Sequence, residues 1–201
     1  DYPGVQLEKA VKTTNPNYLF LYLNITAEAQ AGDIPLTFSR KGEIMATHNY
    51  PLRKRKPDRN NLRGFTPADA IYLITPDRFA NGDPSNDYVQ GMQEKPDRSD
   101  KGGRHGGDIA GIQQNLDYIQ DLGFTAVWLN PLLENDMPAF SYHGYATTDF
   151  YRVDSRFGSN EAYLELTDEL RRRNMKLIMD MIVNHCGSEH WWMDDLPSPD
   201  W

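Results

Sequence analysis

The sequence predicts an α/β fold, the N-terminal part of a parallel (β/α)8 barrel, preceded by the tail of an all-β sandwich domain. Residues 1–57 carry short β segments, whereas apolar strands and amphipathic helices alternate from Asp69 onwards. Strands that are separated by helices pair in parallel. The loops that follow strands, Pro76 to Ile109 and Pro131 to Gly158, are long, while the turns that follow helices are short. Long loops at the carboxyl side of a sheet are typical of a catalytic barrel.

Residues 1–57 are predicted to be β structure. Tyr18–Ile25 is apolar and aromatic, and the segments Ile34–Phe38 and Glu43–His48 follow it at hairpin distances. Three or four strands are fewer than the roughly seven of a complete sandwich. We therefore interpret residues 1–57 as the C-terminal part of an N-terminal β-sandwich domain.

Residues 58–68 are predicted to link this part to the barrel. The basic run Arg53–Lys56 precedes them and is followed at once by Pro, Asp and Asn. A localisation signal or an anion-binding patch is the alternative, but this composition favours a solvated linker. Residues 69–201 are then the first portion of the catalytic barrel, ending after its third strand at the start of a loop domain.

The barrel portion is predicted to contain three strands and two helices. The strands are Ile71–Thr75, Phe124–Leu129 and Lys176–Val183, and the third is apolar enough to be buried on both faces. Gly123 is placed to end the first helix in a left-handed conformation, and Ser159 is placed to cap the second. The buried stripes are Ile112, Leu116, Ile119 and Leu122 in the first helix and Tyr163, Leu166 and Leu170 in the second.

Composition excludes several classes of function. The net charge of −8 argues against nucleic acid as a partner, because phosphate binding needs a basic face. No apolar run approaches the roughly 20 residues that span a bilayer. The single cysteine, Cys186, cannot form an internal disulfide, so redox chemistry does not fix the compartment.

Two sequence segments are the most informative part of the chain. One is Tyr-His-Gly-Tyr-Ala-Thr-Thr-Asp at 142–149, and the other begins at Asp180 and ends in Asn184 and His185, directly after the third strand. Polar residues at a strand's carboxyl end either open a loop or form an active site. The combination resembles the α-amylase family of glycoside hydrolases, whose first signature is an Asp, several apolar residues and Asn-His.

The resemblance implies roles for four residues at the active site. Tyr145 matches the family's tyrosine that stacks on the sugar ring being cleaved, and His143 matches a loop histidine beside it. His185 matches the histidine that binds a hydroxyl of that ring, and Asp180 matches a residue that holds an active-site arginine. An aromatic ring beside polar groups suits a sugar, whose C–H faces are edged by hydroxyls. For His143, a merely solvated side chain is the alternative.

A second group of residues is rich in oxygen atoms. Residues 81–87 and 106–108 together supply several carboxylate, amide and carbonyl oxygens, and Ca²⁺ takes six to eight such ligands. Ordinary turns with local hydrogen bonds are the alternative. The resemblance to cyclodextrin-forming and cyclodextrin-degrading members implies a calcium site. Its ligands would be Asn81, Asp83, Asn86, Asp87, the Gly106 carbonyl and Asp108.

No reactive carboxylate is assigned within the chain. Retaining glycosidases need two carboxyl groups about 5–5.5 Å apart, and in the family these belong to barrel strands four, five and seven. We therefore expect the 201-residue chain itself to be inactive. Four carboxylates, Glu134, Asp136, Asp149 and Asp154, match no reactive position of the family.

The resemblance is closest to cyclomaltodextrinases and neopullulanases, notably the periplasmic type of Bacteroidetes. It implies a retaining hydrolase that cleaves α-1,4 bonds in cyclodextrins, pullulan or maltooligosaccharides, exported from the cytoplasm and forming a homodimer. A glucan transglycosylase of the same family and a non-catalytic glucan-binding protein are the alternatives. Residues outside this sequence would distinguish them.

Overall fold

The computed structural model describes residues 2–54 and 64–200. The chain forms two compact units, Asp1–Gly64 with Asp195–Trp201, and Phe65–Asp194. Residues 58–63 of the predicted linker 58–68 lie outside the described residues, and so does part of the basic run before it.

The first unit contains two antiparallel hairpins. Strand β1 (Val5–Lys12) pairs with β2 (Leu19–Ile25), and β3 (Gly32–Arg40) pairs with β4 (Glu43–Leu52). Lys41 and Gly42 join the second pair, both with positive φ, at 52° and 86°. A two-residue turn of this kind matches the twist of its flanking strands. The sandwich to which these hairpins would belong stays a prediction.

The second unit is built on a parallel sheet. Strands β5 (Ile71–Ile74), β6 (Ala126–Leu129) and β9 (Lys176–Met179) lie in that order, with Ile71 opposite Ala126 and Ala126 opposite Lys176. Helices separate the strands along the chain, as the alternating sequence pattern predicted. The α/β class is therefore confirmed for this unit.

Four helices accompany this sheet, and their ends follow from local chemistry. They are α1 (Pro76–Phe79), α2 (Ile109–Gln114), α3 (Leu116–Asp121) and α4 (Asn160–Arg172). The Ser159 hydroxyl accepts a hydrogen bond from the Ala162 N–H at 3.1 Å, which confirms the predicted cap. Gly123, at φ 88°, follows α3 in the predicted left-handed conformation.

The single helix predicted before Gly123 is two short helices in the structure. Asn115 lies between them at φ −111°, and its side-chain amide donates to the Gly111 carbonyl at 2.7 Å. Asparagine competes with the helix by bonding nearby backbone groups, and this contact ends α2. Both helices still bury the predicted apolar face, except that Leu122 is exposed.

The core of the second unit packs these helices on the parallel sheet. The core includes Ile112, Leu116 and Ile119 from α2 and α3, together with Leu166 and Leu170 of α4. Tyr163 is only partly buried and packs against this core.

Two features of this unit differ from the sequence prediction. The third strand ends at Met179 rather than at Val183, because β6 ends at Leu129, opposite Met179, and offers no partner beyond it. Its side chains are only partly buried, since β9 lies at the edge of the described sheet. The loop after β6 also contains an antiparallel ribbon, β7 (Leu133–Glu134) with β8 (Asp149–Val153). In the described part of the chain, no helix is long and apolar enough to cross a membrane.

Candidate functional site

The predicted sugar-contacting residues meet beyond the carboxyl ends of β6 and β9. Asp180 comes directly after β9, and Tyr145 lies in the loop that follows β6. A 3-10 turn, Ser141–His143, precedes Tyr145 and ends at Gly144, which has φ 81°. A side chain on Gly144 would lie 2.0 Å from the Pro131 carbonyl oxygen, so only glycine allows this close approach.

Tyr145 and Asp180 are joined by a hydrogen bond. The Tyr145 hydroxyl donates to Asp180 Oδ2 at 2.9 Å, and Trp128 Nε1 donates to the same oxygen at 3.3 Å. Burial, with the Asp180 contact, raises the pKa of the Tyr145 hydroxyl, so it stays protonated and remains a donor. Tyr145 is 37% exposed, which leaves part of the side chain accessible beside a carboxylate.

His185 lies against the same residue. Its Nε2 is 2.9 Å from the Tyr145 carbonyl oxygen, and its Nδ1 is 3.1 Å from the Asn184 side-chain amide nitrogen. The two contacts agree on one tautomer, in which Nε2 carries the proton and Nδ1 accepts from Asn184. The structure therefore brings together Tyr145 and His185, which are 40 residues apart.

His143 is hydrogen-bonded to the backbone of the loop that carries Tyr145. Its Nδ1 accepts a hydrogen bond from the Tyr145 N–H at 2.9 Å, and the two rings lie 5.8 Å apart. Burial lowers the pKa of His143, although the nearby Glu94 charge opposes this. The neutral form is the one that can accept from Tyr145. His143 is thus a bonded loop residue and not simply solvated.

The oxygen-rich residues also come together. The Asn81 amide donates to Asp87 Oδ1 at 2.6 Å, and a side chain on Gly106 would lie 2.2 Å from that same oxygen. Asp108 accepts from the Asn86 side chain at 3.1 Å and from the Asp83 N–H at 2.8 Å. All six predicted ligand residues are therefore in one cluster.

Some members of this cluster also have ordinary structural roles. Asp108 caps α2 by accepting from the Gly111 N–H at 2.6 Å, and Asp83 accepts from the Ser85 N–H at 3.0 Å. In contrast, the side-chain oxygens of Asn81 and Asn86 are buried without a hydrogen-bond partner. Within the described residues, no group of three or more His, Cys, Asp or Glu is arranged to hold a metal. A cation here would therefore need amide and carbonyl oxygens in addition to the carboxylates.

Three residues that shape the site were not predicted from the sequence. Trp128 binds Asp180 from the middle of β6, and its polar ring nitrogen was the available signal. Glu94 and Arg104 are buried charged residues that contact the loop before Tyr145. Both belong to a segment without regular secondary structure, where no periodic pattern indicates burial.

Two families match the sequence. Residues 73–199 match the family described as alpha amylase, catalytic domain, which is more than half of the chain. The chain belongs to the α-amylase family. Residues 1–56 match the family described as cyclomaltodextrinase, N-terminal. The resemblance drawn from the Asn-His strand end and the Tyr-His-Gly-Tyr loop is confirmed.

Individual relatives and one solved structure agree with this assignment. The chain is 31% identical to a cyclomaltodextrinase of Thermoanaerobacter pseudethanolicus, over 98% of the chain and 36% of the relative. It is 38% identical to neopullulanase 2 of Thermoactinomyces vulgaris, over 63% of the chain and 21% of the relative. An α-amylase from Geobacillus thermoleovorans, solved with acarbose, is 40% identical with a TM-score of 0.52, over 64% of this chain and 26% of that chain. The chain thus spans little more than a third, or less, of each.

Proposed function

We propose that the intact protein is a retaining α-glucan hydrolase that cleaves α-1,4 bonds in cyclodextrins, pullulan or maltooligosaccharides. The observation that carries the proposal is the contact between Tyr145, Asp180 and His185 beyond the ends of neighbouring parallel strands. The names of the relatives, a cyclomaltodextrinase and a neopullulanase, support this class of substrate. In this proposal, β5, β6 and β9 are the first three strands of a (β/α)8 barrel.

The chain's own residues are proposed to bind and orient the sugar. The exposed ring of Tyr145 would stack on the apolar face of a glucose unit, and the hydrogen bond to Asp180 fixes the direction of that ring. His185 is held by the Tyr145 carbonyl and Asn184, so it is oriented before the substrate arrives. Preorganisation of this kind reduces the entropy lost on binding.

We also propose that the cluster at 81–87 and 106–108 holds one calcium ion. The two buried oxygens of Asn81 and Asn86 that lack partners support it, because buried acceptors without donors are costly. The ligands would be the six residues predicted from the sequence. Calcium would neutralise the local carboxylates and hold the two segments together, and no chemical step is assigned to it.

The experiment that tests the function is hydrolysis by the intact protein. β-Cyclodextrin, pullulan and maltooligosaccharides would each be incubated with it, and new reducing ends would be measured over time. Proton NMR of the first product would show the α-anomer if the configuration is retained. Glucan binding without any release of reducing ends would contradict the proposal and favour a non-catalytic binding protein.

A transglycosylase of the same family is the second candidate. One similar solved structure, 32% identical over 59% of this chain with a TM-score of 0.53, is a cyclomaltodextrin glucanotransferase. Mass spectrometry of the products decides between the two. Oligosaccharides longer than the substrate would indicate transfer, whereas shorter ones alone would indicate hydrolysis.

A further inference from the structure

The loop that carries Tyr145 has a backbone that needs support from elsewhere. Phe140 begins the turn in the left-handed region at φ 59° and ψ 19°, and Gly144 ends it in the same region. A bulky residue rarely adopts this conformation, and it persists only where surrounding contacts hold it. Phe140 is also 59% exposed, so its own ring is only partly packed.

The contacts that hold this turn come from Glu94. Its Oε1 accepts the Phe140 N–H at 3.2 Å, and its Oε2 accepts the Ser141 N–H at 2.6 Å. One carboxylate therefore binds two successive backbone donors at the point where the chain is left-handed. Hydrogen bonds to a charged acceptor are about twice as strong as those between neutral groups.

Two arginines hold Glu94 and the turn in place. Arg156 Nη1 donates to the Glu94 carbonyl oxygen at 3.2 Å, and Arg104 Nη1 donates to the Ser141 hydroxyl at 3.2 Å. Both arginine side chains are 1% exposed, and Glu94 is 8% exposed. A carboxylate is rarely so buried unless it is paired or bonded.

The aspartates near these arginines complete the cluster. Arg156 pairs with Asp154 at 2.7 Å, and Arg104 lies 4.0 Å from Asp154 and 3.9 Å from Asp77. Together the buried groups form one polar network that ends at the turn before Tyr145. The hydrogen bonds and ion pairs of such a network restrain the groups that they join, and among the described residues Arg104 Nη2 is the network's buried atom without a hydrogen-bond partner.

We propose that Glu94 is a positioning residue for glucan binding, whose carboxylate fixes the 140–145 loop so that Tyr145 faces the sugar. This inference rests on the proposed function. Glu94 itself does not touch the sugar and takes no part in proton transfer. Glu94 contributes equally to the binding free energy of the substrate and of the transition state, because it acts only through the position of the loop.

The test compares Glu94→Gln with Glu134→Gln in the intact protein. Glutamine keeps one acceptor oxygen but turns an amide nitrogen towards the second N–H. We expect KM for a maltooligosaccharide and Kd for acarbose to rise about tenfold, while kcat changes less than about twofold. Glu134 lies in β7, and its side chain bonds Thr148 and Arg152 rather than the backbone of Phe140 and Ser141. Its substitution should leave KM and Kd within about twofold.

Two further measurements keep the inference open to refutation if Glu94→Gln folds poorly. Glu94→Asp keeps the charge but is one methylene shorter, so it should recover part of the lost affinity. In the unmodified protein, the Phe140 and Ser141 amides should exchange with deuterium slowly, although Phe140 is exposed. Fast exchange at both amides would overturn the inference, as would a folded Glu94→Gln protein with unchanged KM and Kd.

The same experiment separates this inference from the function on which it rests. If the unmodified protein neither binds acarbose nor hydrolyses maltooligosaccharides, the proposed function and the inference both fail. If it does both and Glu94→Gln does so equally well, only the inference fails.

Discussion

Replacement of Gly144 by alanine should displace the loop of residues 140–145. The new methyl group would lie 2.0 Å from the Pro131 carbonyl oxygen, where real Cβ atoms essentially never come within 3.0 Å, so the backbone must shift by about 1 Å. A left-handed alanine costs about 1–2 kcal/mol, and overpacking costs about 1–3 kcal/mol more. We therefore expect a loss of about 2–5 kcal/mol in the free energy of unfolding.

Gly123→Ala is the matched control for this substitution. Gly123 has φ 88°, close to the 81° of Gly144, but nothing lies within 4 Å of its added methyl group. Gly123→Ala should therefore lower the free energy of unfolding only by the cost of the left-handed backbone, about 1–2 kcal/mol. The difference between the two variants isolates the contact with Pro131.

Denaturant unfolding and acarbose binding, both on the intact protein, measure the two consequences. Tyr145 follows Gly144 directly, so a shift of about 1 Å moves its ring and should weaken acarbose binding at least tenfold. Gly123→Ala lies far along the chain, after α3, and should leave the Kd unchanged. Equal stability and equal Kd for the two variants would refute the argument that this loop is fixed by its close approach to Pro131.

Four other predictions follow from the same structure. The methyl group of Gly106→Ala would clash with Asp87 Oδ1, so this variant should bind calcium at least tenfold more weakly by calorimetry. Gly91→Ala is the control, since open space surrounds its methyl group, and it should bind calcium as the unmodified protein does. Equal calcium affinities for the two variants would contradict the site. Tyr145→Phe loses one hydrogen bond, about 1 kcal/mol of stability, but should bind acarbose far better than Tyr145→Ala; equal binding would exclude stacking. Because the folded pKa of His143 is lowered, its contribution to stability is complete above its unfolded pKa of about 6.5 and is lost as pH falls through the folded value. As pH is lowered from 8 to 5, the unfolding midpoint should therefore fall less steeply in His143→Gln than in the unmodified protein. The 201-residue chain alone should release no reducing ends from β-cyclodextrin above a heat-killed control.

The sequence predicted the strands of the parallel sheet and the two amphipathic helical stretches because their signals are local. Alternating apolar strands and amphipathic stripes predicted the order of β5, β6 and β9 and the helices between them. Caps at Ser159 and Gly123 depend on one residue's chemistry and were likewise predictable. The end of β9 was not, because it depends on where its partner strand stops.

The candidate site divides in the same way. Tyr145, His185 and Asp180 were found because they follow strands or belong to recognisable motifs. Glu94 and Arg104 were missed, since their burial depends on the path of a long loop that has no periodicity. Nothing local distinguishes a buried glutamate in such a loop from a solvated one until its partners are known.

The remaining carboxylates near the loop have contacts of their own, which explains why none resembles a reactive group. Glu134 and Asp154 are paired with Arg152 and Arg156, and Asp136 accepts the Gln93 N–H at 2.8 Å. Hydrogen bonds and charges from Arg156 and Arg104 lower the pKa of Asp154 against the opposing effect of its burial. A general acid needs a raised pKa and access to the bond being cleaved, and Asp154 is fully buried with the opposite shift. Among the described residues, these three carboxylates are therefore engaged in structural contacts, and none of them is assigned a reactive role.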